Sequence, residues 1–171
     1  MLLSPDKYDI IIVDPSPPVY NAGTVNLYTR EFFTLCREHL TPGGVMCLWF
    51  LGSSRQDNLY ICKTFYSVFK NMTIWKGPHG WGFYLFGTPS PTNVDRTKIE
   101  LAFTNPRIVK DLSEYDNVCV TSEQLLKLFV LRDGKDLDDL TKTASIITDN
   151  YPYTEFPLWR YLLGRESDKT H

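Results

Sequence analysis

Little in this chain marks it for metal, nucleic acid or membrane. Its four cysteines, Cys36, Cys47, Cys62 and Cys119, form no CxxC pair and no metal-ligand spacing. Cys36 and Cys62 fall in helical patterns and Cys47 in a strand pattern, so reduced, buried thiols are expected rather than a disulfide framework. Neither His39 nor His79 has a second His or Cys at ligand spacing, and no metal site is expected. Basic residues are scattered, the net charge is −2 and the pI is near 5.9, which gives no electrostatic footing for nucleic acid or an acidic membrane. The longest apolar runs are far too short to span a bilayer. Met1-Leu2-Leu3 passes at once into Ser4-Pro5-Asp6, unlike a signal peptide, so a reduced cytoplasmic setting is the expectation. There is no internal repeat and no GxGxxG turn: Gly43-Gly44 and Gly77–Gly82 lack both the spacing and the strand-then-helix context. What remains is 171 residues, 43% hydrophobic and 22% charged, enough for one soluble domain with a real core. Aromatics cluster around Trp49, Phe50, Trp75, Trp81, Phe83 and Tyr84, a pattern of core and interface packing.

The stretch that is present and organises the rest is Tyr8–Pro18, YDIIIVDPSPP. Ile10, Ile11, Ile12 and Val13 run unbroken into Asp14 and a proline-punctuated loop, which suits a strand buried on both faces of a parallel sheet. An aspartate at the carboxyl end of such a strand opens into the crevice where α/β proteins bind ligands, or else caps its own loop as an Asx-turn.

The loop Pro15–Asn26 is expected to be irregular. A helix follows with Thr29 as N-cap, Glu31 in the first turn and an apolar face of Phe32, Phe33, Cys36 and Leu40. Thr41-Pro42-Gly43-Gly44 reads as a stop and tight turn, and Val45–Leu51 as a second buried strand. Ser53 or Ser54 caps a helix through about Phe69. Met72–Lys76 and Trp81–Phe86 are strands joined by Gly77-Pro78-His79-Gly80 as a hairpin. Beyond a Pro/Ser/Thr linker at Thr88–Asn93 come a helix from Val94 to Phe103, another from Thr121 through Leu131, and a tail with a short helix around Phe156–Leu163. Right-handed crossover makes the first two strands parallel neighbours. The fold class is therefore α/β, with residues 1–90 as a partial Rossmann-like core and 91–171 as a helical C-terminal extension packed on it as one compact domain.

Five pieces, YDIIIVDPSPP, LYTREFF, LTPGG, PHGWGF and TDNYPYTEFP, together resemble the spermidine synthase (aminopropyltransferase) family in its divergent bacterial branch, in the family's order and across most of residues 7–160. The resemblance implies the C-terminal half of a class I methyltransferase-like Rossmann fold, a mostly parallel sheet ending in an antiparallel hairpin. It also implies transfer of an aminopropyl group from decarboxylated S-adenosylmethionine to an amine. Asp14 falls on the family's strand-end aspartate, which helps deprotonate or orient the attacking amine. The second loop aspartate is Pro17 here, the amine-contacting glutamine is Trp49, and the tyrosine of the YPSGxWGF-like segment is Gly77. The family's glycine-rich loop, ribose-binding acid and acidic pair would all lie upstream of Met1.

Asp14 is thus the candidate catalytic residue, and Ser16, Trp49 and Asp149 are candidates for substrate binding. Each has a plainer reading. Ser16, between prolines, has no GxSxG elbow or partner histidine and reads as a loop hydroxyl. Trp49 reads as core or interface; Asp149 as fixing a turn before Pro152; Glu155 as favouring a helix start. His39 sits near a helix end, where a cation suits the dipole.

This chain alone is expected to hold no cofactor and to carry out no aminopropyl transfer, with decarboxylated S-adenosylmethionine or S-adenosylmethionine bound only if an N-terminal half is present. Two further expectations stand beside this one. The first is a non-catalytic interaction module, a homodimer through the Tyr8–Asp14 strand edge, because an unpaired aliphatic edge templates another chain. The second is a methyltransferase with a different acceptor.

Overall fold

The computed structural model describes residues 5–15, 23–51, 54–115, 119–131, 137–139, 141–152 and 154. Five strands form one sheet in the order β1-β2-β4-β3-β5: β1 (Tyr8–Val13), β2 (Leu40–Phe50), β3 (Asn71–Lys76), β4 (Phe83–Thr88) and β5 (Phe129–Leu131). β1 and β2 are parallel, joined by a crossover through α1 (Arg30–Glu38). The other three pairs are antiparallel, so parallel pairing among the described strands is confined to β1 and β2.

Alternation along β2 sets the two faces of this sheet. Met46, Leu48 and Phe50 are buried, while Cys47 and Trp49 between them are half-buried on the opposite side. The buried side meets α1 and α2 (Arg55–Val68). Thr29 caps α1 by accepting from the Phe32 N–H, and Ser54 caps α2 by accepting from the Asp57 N–H, both as the sequence predicts. Phe33 of α1 then meets Phe65 of α2 edge-on at 5.1 Å, and Phe65 stacks on Phe69 at 4.8 Å.

Thr64 of α2 fixes the tail to this layer. Its hydroxyl donates to the Tyr60 carbonyl at 2.7 Å and accepts the N–H of buried Ile147 at 2.8 Å. Ile147 in turn accepts the Arg30 N–H at the start of α1, at 2.9 Å. Thr64→Val keeps the shape but strands a buried N–H, and is expected to cost about 1–3 kcal/mol in urea unfolding.

Several sequence expectations change. β1 is not covered on both faces: Ile11 and Val13 pack on the core, but Ile10 is 61% and Ile12 71% exposed. Among the described strands β1 lies at the sheet edge. Thr41–Gly44 is not a turn outside the strand but an irregular start to β2. Tyr8 pairs with Leu40 and Ile10 with Val45, so these residues oppose Asp9 alone, whose carboxylate accepts the Thr41 hydroxyl at 2.9 Å. Leu40 accordingly belongs to β2, not to the face of α1. The irregular loop ends earlier than expected, in a 3-10 turn at Val25–Tyr28.

The C-terminal extension is less purely helical than predicted. α3 (Arg96–Ala102) follows its Asp95 cap, and α4 (Pro106–Tyr115) was not foreseen, although Asn105-Pro106 and the apolar Ile108, Val109 and Leu112 carry its signal. α5 (Ser122–Lys127), closed by a Thr121/Gln124 capping box, stops before Leu131. Phe129–Leu131 instead become β5, because the open edge of β3 takes them: Phe129 packs edge-on against Trp75 at 4.7 Å, and the Lys76 N–H donates to the Leu128 carbonyl at 2.7 Å. The predicted helix around Phe156–Leu163 lies outside the described residues.

Candidate functional site

The parallel pair β1/β2 delivers Asp14 to the carboxyl edge of the sheet. Val13 pairs with Leu48, so Asp14 leaves the strand beside Trp49; Trp49 pairs with Tyr84, and Tyr84 with Trp75. Register alone thus draws one row, Asp14–Trp49–Tyr84–Trp75, across the end of the sheet where α/β folds place their ligand crevice. Asp14 is exposed, and Pro15 after it is buried. The chain returns under this end through Tyr28, which is only 1% exposed.

The Asp14 carboxylate sets the field here. It adds to burial in pushing the Tyr28 phenol above its ordinary range, and burial with Asp14 pushes the Cys47 thiol up to about 11. The Tyr84 phenol is raised by burial first, then by the nearby Cys47, Asp14 and Cys119. At neutral pH the described phenols and thiol around Asp14 are therefore protonated, and Asp14 is the carboxylate that acts on all three. Such a field favours a cation, and a carboxylate within reach of an ammonium can accept its proton. Cys36 and Cys62, buried away from this end, are pushed up to about 12 by burial and take no part.

Trp49 has a structural partner in addition to its place in the row. Its Nε1–H donates to the Trp81 carbonyl at 3.4 Å, bracing the β3–β4 connection over the crevice. Gly82 lies close beneath it with φ +65: a Cβ there would stand 2.8 Å from the Trp49 Nε1 and 2.6 Å from the Phe50 carbonyl. In the same connection His79 is exposed at φ 58, and Trp81 is 68% exposed.

Asp149 is exposed in the turn closed by the Thr148–Tyr151 bridge, and its N–H donates to Glu31 Oε2 at 3.2 Å. This is the turn the local sequence predicts; among the described residues no hydrogen bond joins Asp149 to Asp14. Ser16 and Glu155 lie outside the described residues. His39 is a capping residue: it closes α1, its Nδ1 lies 2.8 Å from the Leu35 carbonyl, and its own carbonyl accepts the Tyr8 N–H. Sequence reasoning missed Tyr28, Cys47 and Tyr84 as the shell of Asp14. Only strand register, which pairs Trp49 with Tyr84, could have pointed to the last of them. Among the described residues no group of His, Cys, Asp or Glu could hold a metal ion, and no helix is long and apolar enough to cross a membrane.

Comparison with known proteins bears on the family and the fold. Residues 3–73 match the spermine/spermidine synthase domain. The chain is 27% identical over 150 residues to polyamine aminopropyltransferase 2 of Pseudomonas aeruginosa, covering 79% of this chain and 42% of that protein. It is 30% identical over 118 residues to a polyamine aminopropyltransferase of Saccharolobus solfataricus, covering 65% of this chain and 38% of that one. A crystal structure of a probable spermidine synthase from Corynebacterium glutamicum superposes with a TM-score of 0.54 at 18% identity, over 85% of this chain and 49% of that chain, and supports the α/β fold. The chain spans less than half the length of each of these proteins.

Proposed function

We propose that this spermidine synthase-like chain supplies the amine-activating side of an aminopropyl-transfer site, with Asp14 as its acid/base residue. One observation carries the reading: Asp14 stands at the carboxyl end of a parallel strand, with protonated Tyr28, Cys47 and Tyr84 about it, so among these described groups its charge is the one offered to a cationic acceptor. An ammonium is not a nucleophile. Loss of a proton to Asp14 frees the nitrogen lone pair for attack on the carbon next to a sulfonium, the carbon–sulfur bond breaks, and the thioether leaves. Trp49 and the Trp81 carbonyl border the acceptor's path. The sulfonium donor implied by the resemblance, decarboxylated S-adenosylmethionine, needs a nucleoside pocket, and these 171 residues contain no glycine-rich strand-to-helix turn to form one. The donor is therefore assigned to a further unit packed against β1, an edge strand among the described residues, and over Ile10 and Ile12.

The test is a chimaera in which residues 7–160 replace the matching part of the Pseudomonas aeruginosa protein. Release of methylthioadenosine from decarboxylated S-adenosylmethionine and a diamine is expected from the chimaera and not from the 171-residue chain alone. Methyl transfer from S-adenosylmethionine instead would favour a methyltransferase, and calorimetric binding of methylthioadenosine to the chain alone would remove the assignment of the donor site.

The place of β1 at the sheet edge among the described strands also favours a second reading, a non-catalytic module joined to a second copy of itself. A two-fold axis beside β1 would pair it antiparallel with its counterpart and satisfy both edges. A monomeric sedimentation profile at micromolar concentration would count against this.

A further inference from the structure

The second face of the sheet leads from the Asp14 row into a cavity. Alternation beyond Ile10 and Ile12 brings Asp14 to that face, and Trp49, Tyr84 and Trp75 stand on it too, opposite the buried Leu48, Leu85 and Ile74. Over β3 and β4 the face is roofed by α3, α4 and α5, and between floor and roof lies a cavity of about 650 Å³, within the range of small-molecule sites. Trp75, Tyr84 and Phe86 form its floor, and Ile99, Leu112 and Leu125 line it from the three helices. No described side chain of those helices is buried, so the roof stands off the aromatic floor. The Trp75 indole N–H already donates to the Thr73 hydroxyl at 2.9 Å, which leaves ring surface to the cavity. Among the described residues the lining is uncharged where it faces inward. Lys70 and Lys76 border it but alternate onto the Met72/Ile74 side, with the Lys70 ammonium 4.2 Å from the Tyr66 ring of α2, and no Asp or Glu lines it.

We propose that the acceptor is a monoamine with a long apolar tail: its ammonium at Asp14, its chain across Trp49 and Tyr84, and its tail in the cavity. This rests on the reading of Asp14 as the amine-activating residue and names the class of amine. Tyr84 makes the two regions one site, since it belongs to the cavity floor and, by strand register, to the row that begins at Asp14. Burial raises the Tyr84 phenol and the Cys47 thiol first, and the Asp14 charge acts on both, which places all three groups within reach of one another. Two strand spacings, about 10 Å, separate β1 from β4, so an extended chain carries the tail from Asp14 to Tyr84. The distal end decides the substrate class. The far ammonium of an equally long diamine would enter an aromatic trough with no carboxylate among its described lining residues, and would shed water without a partner. A methyl end gains from the same transfer. The reaction balances as before: the amine gives one proton to Asp14, its nitrogen bonds to the carbon beside the sulfonium, and that carbon–sulfur bond breaks. The products are an N-aminopropyl alkylamine and methylthioadenosine.

Binding and transfer test this separately from the role of Asp14. Dodecylamine, below its micellar concentration, is expected to saturate at one per 171-residue chain by calorimetry, with dodecane-α,ω-diamine at least tenfold weaker. Leu112→Trp and Ile99→Trp each enlarge a half-buried roof residue into the cavity, and each is expected to weaken dodecylamine at least tenfold with the circular dichroism unchanged. In the chimaera, kcat/KM for methylthioadenosine release is expected to be at least tenfold higher with dodecylamine than with the short diamine putrescine, and Leu112→Trp to remove that preference. Absence of saturation, equal affinity for the two long amines, or undiminished affinity in both tryptophan variants would each overturn the proposal. A chimaera that prefers putrescine would also overturn it, while leaving Asp14 in its role. A chimaera inactive with every amine would overturn the proposed function and the acceptor assignment with it. Should one tryptophan variant fail to fold, the other and the order of the amines decide the matter.

Discussion

Asp14→Asn in the chimaera is expected to lower turnover by about 10²–10⁴-fold, the ordinary contribution of a positioned acid/base group, while KM for the amine changes by less than tenfold. Asparagine is nearly isosteric and can still accept a hydrogen bond, so the acceptor can dock, but it cannot take the ammonium proton. Asp14 is exposed at the end of β1, and the substitution should leave the fold intact. A second readout reports the geometry without catalysis. Asp14 helps hold the Cys47 thiol up at about 11, so removing its charge should bring that thiol's titration down, while Cys36 and Cys62, raised by burial alone, stay in place. The direction follows from electrostatics: a nearby negative charge disfavours thiolate, and its loss favours it. Equal loss in turnover and in amine binding would remove the acid/base assignment and leave Asp14 as a docking charge. An unmoved Cys47 would deny that the two groups share one crevice.

Much of this arrangement was legible because it rests on local chemistry. The capping residues Thr29 and Ser54, the apolar face of α1, and the β3–β4 hairpin follow from side chains acting on their own backbone within a few residues. The parallel pairing of β1 and β2 followed from the handedness of a single crossover. What was missed depends on distant partners. Phe129–Leu131 continue a helical pattern in sequence and become a strand only because β3 presents an open edge and Trp75 a ring to pack on. Thr41–Gly44 carries turn residues, yet β2 absorbs them as an irregularity because Leu40 already pairs with Tyr8. At the site, Asp14 could be named from its place at a strand end, but Tyr28, Cys47 and Tyr84 come from other elements, and nothing in their own neighbourhoods announces them. Trp49 stands where the family resemblance places an amine-contacting glutamine, and the structure gives its indole N–H a backbone carbonyl as partner, so this change is tied to the loop it braces.

That loop carries the second large effect. Gly77→Ala is expected to destabilise the chain by about 2–4 kcal/mol in chemical unfolding, through steric overlap and the loss of a closing hydrogen bond. Backbone conformation is not the cause: Gly77 sits at φ −65 and ψ 151, the extended region any residue adopts before a proline. The obstacle is space. A Cβ on Gly77 would lie 1.7 Å from the Trp81 carbonyl oxygen and 2.8 Å from its carbon, and a Cβ has no torsion by which to move aside. The turn would have to open, breaking the Gly77 N–H to Gly82 carbonyl bond of 2.9 Å and withdrawing the acceptor of the Trp49 indole. Gly80 offers the contrast, since a Cβ there meets nothing within 4 Å and only its φ of +77 is unfavourable, so Gly80→Ala should cost about 1–2 kcal/mol. Gly77→Tyr, which would restore the residue the resemblance expects, meets the same overlap and cannot by itself recover an ordinary diamine site. Gly77, Gly82, Trp49 and Trp81 form one unit: the glycines admit a tight connection, and the tight connection brings the Trp81 carbonyl to Trp49. If Gly77→Ala unfolded within about 0.5 kcal/mol of the parent, the range of an ordinary surface change, this coupling would be wrong, and Trp49 would be available to a substrate rather than committed to the loop.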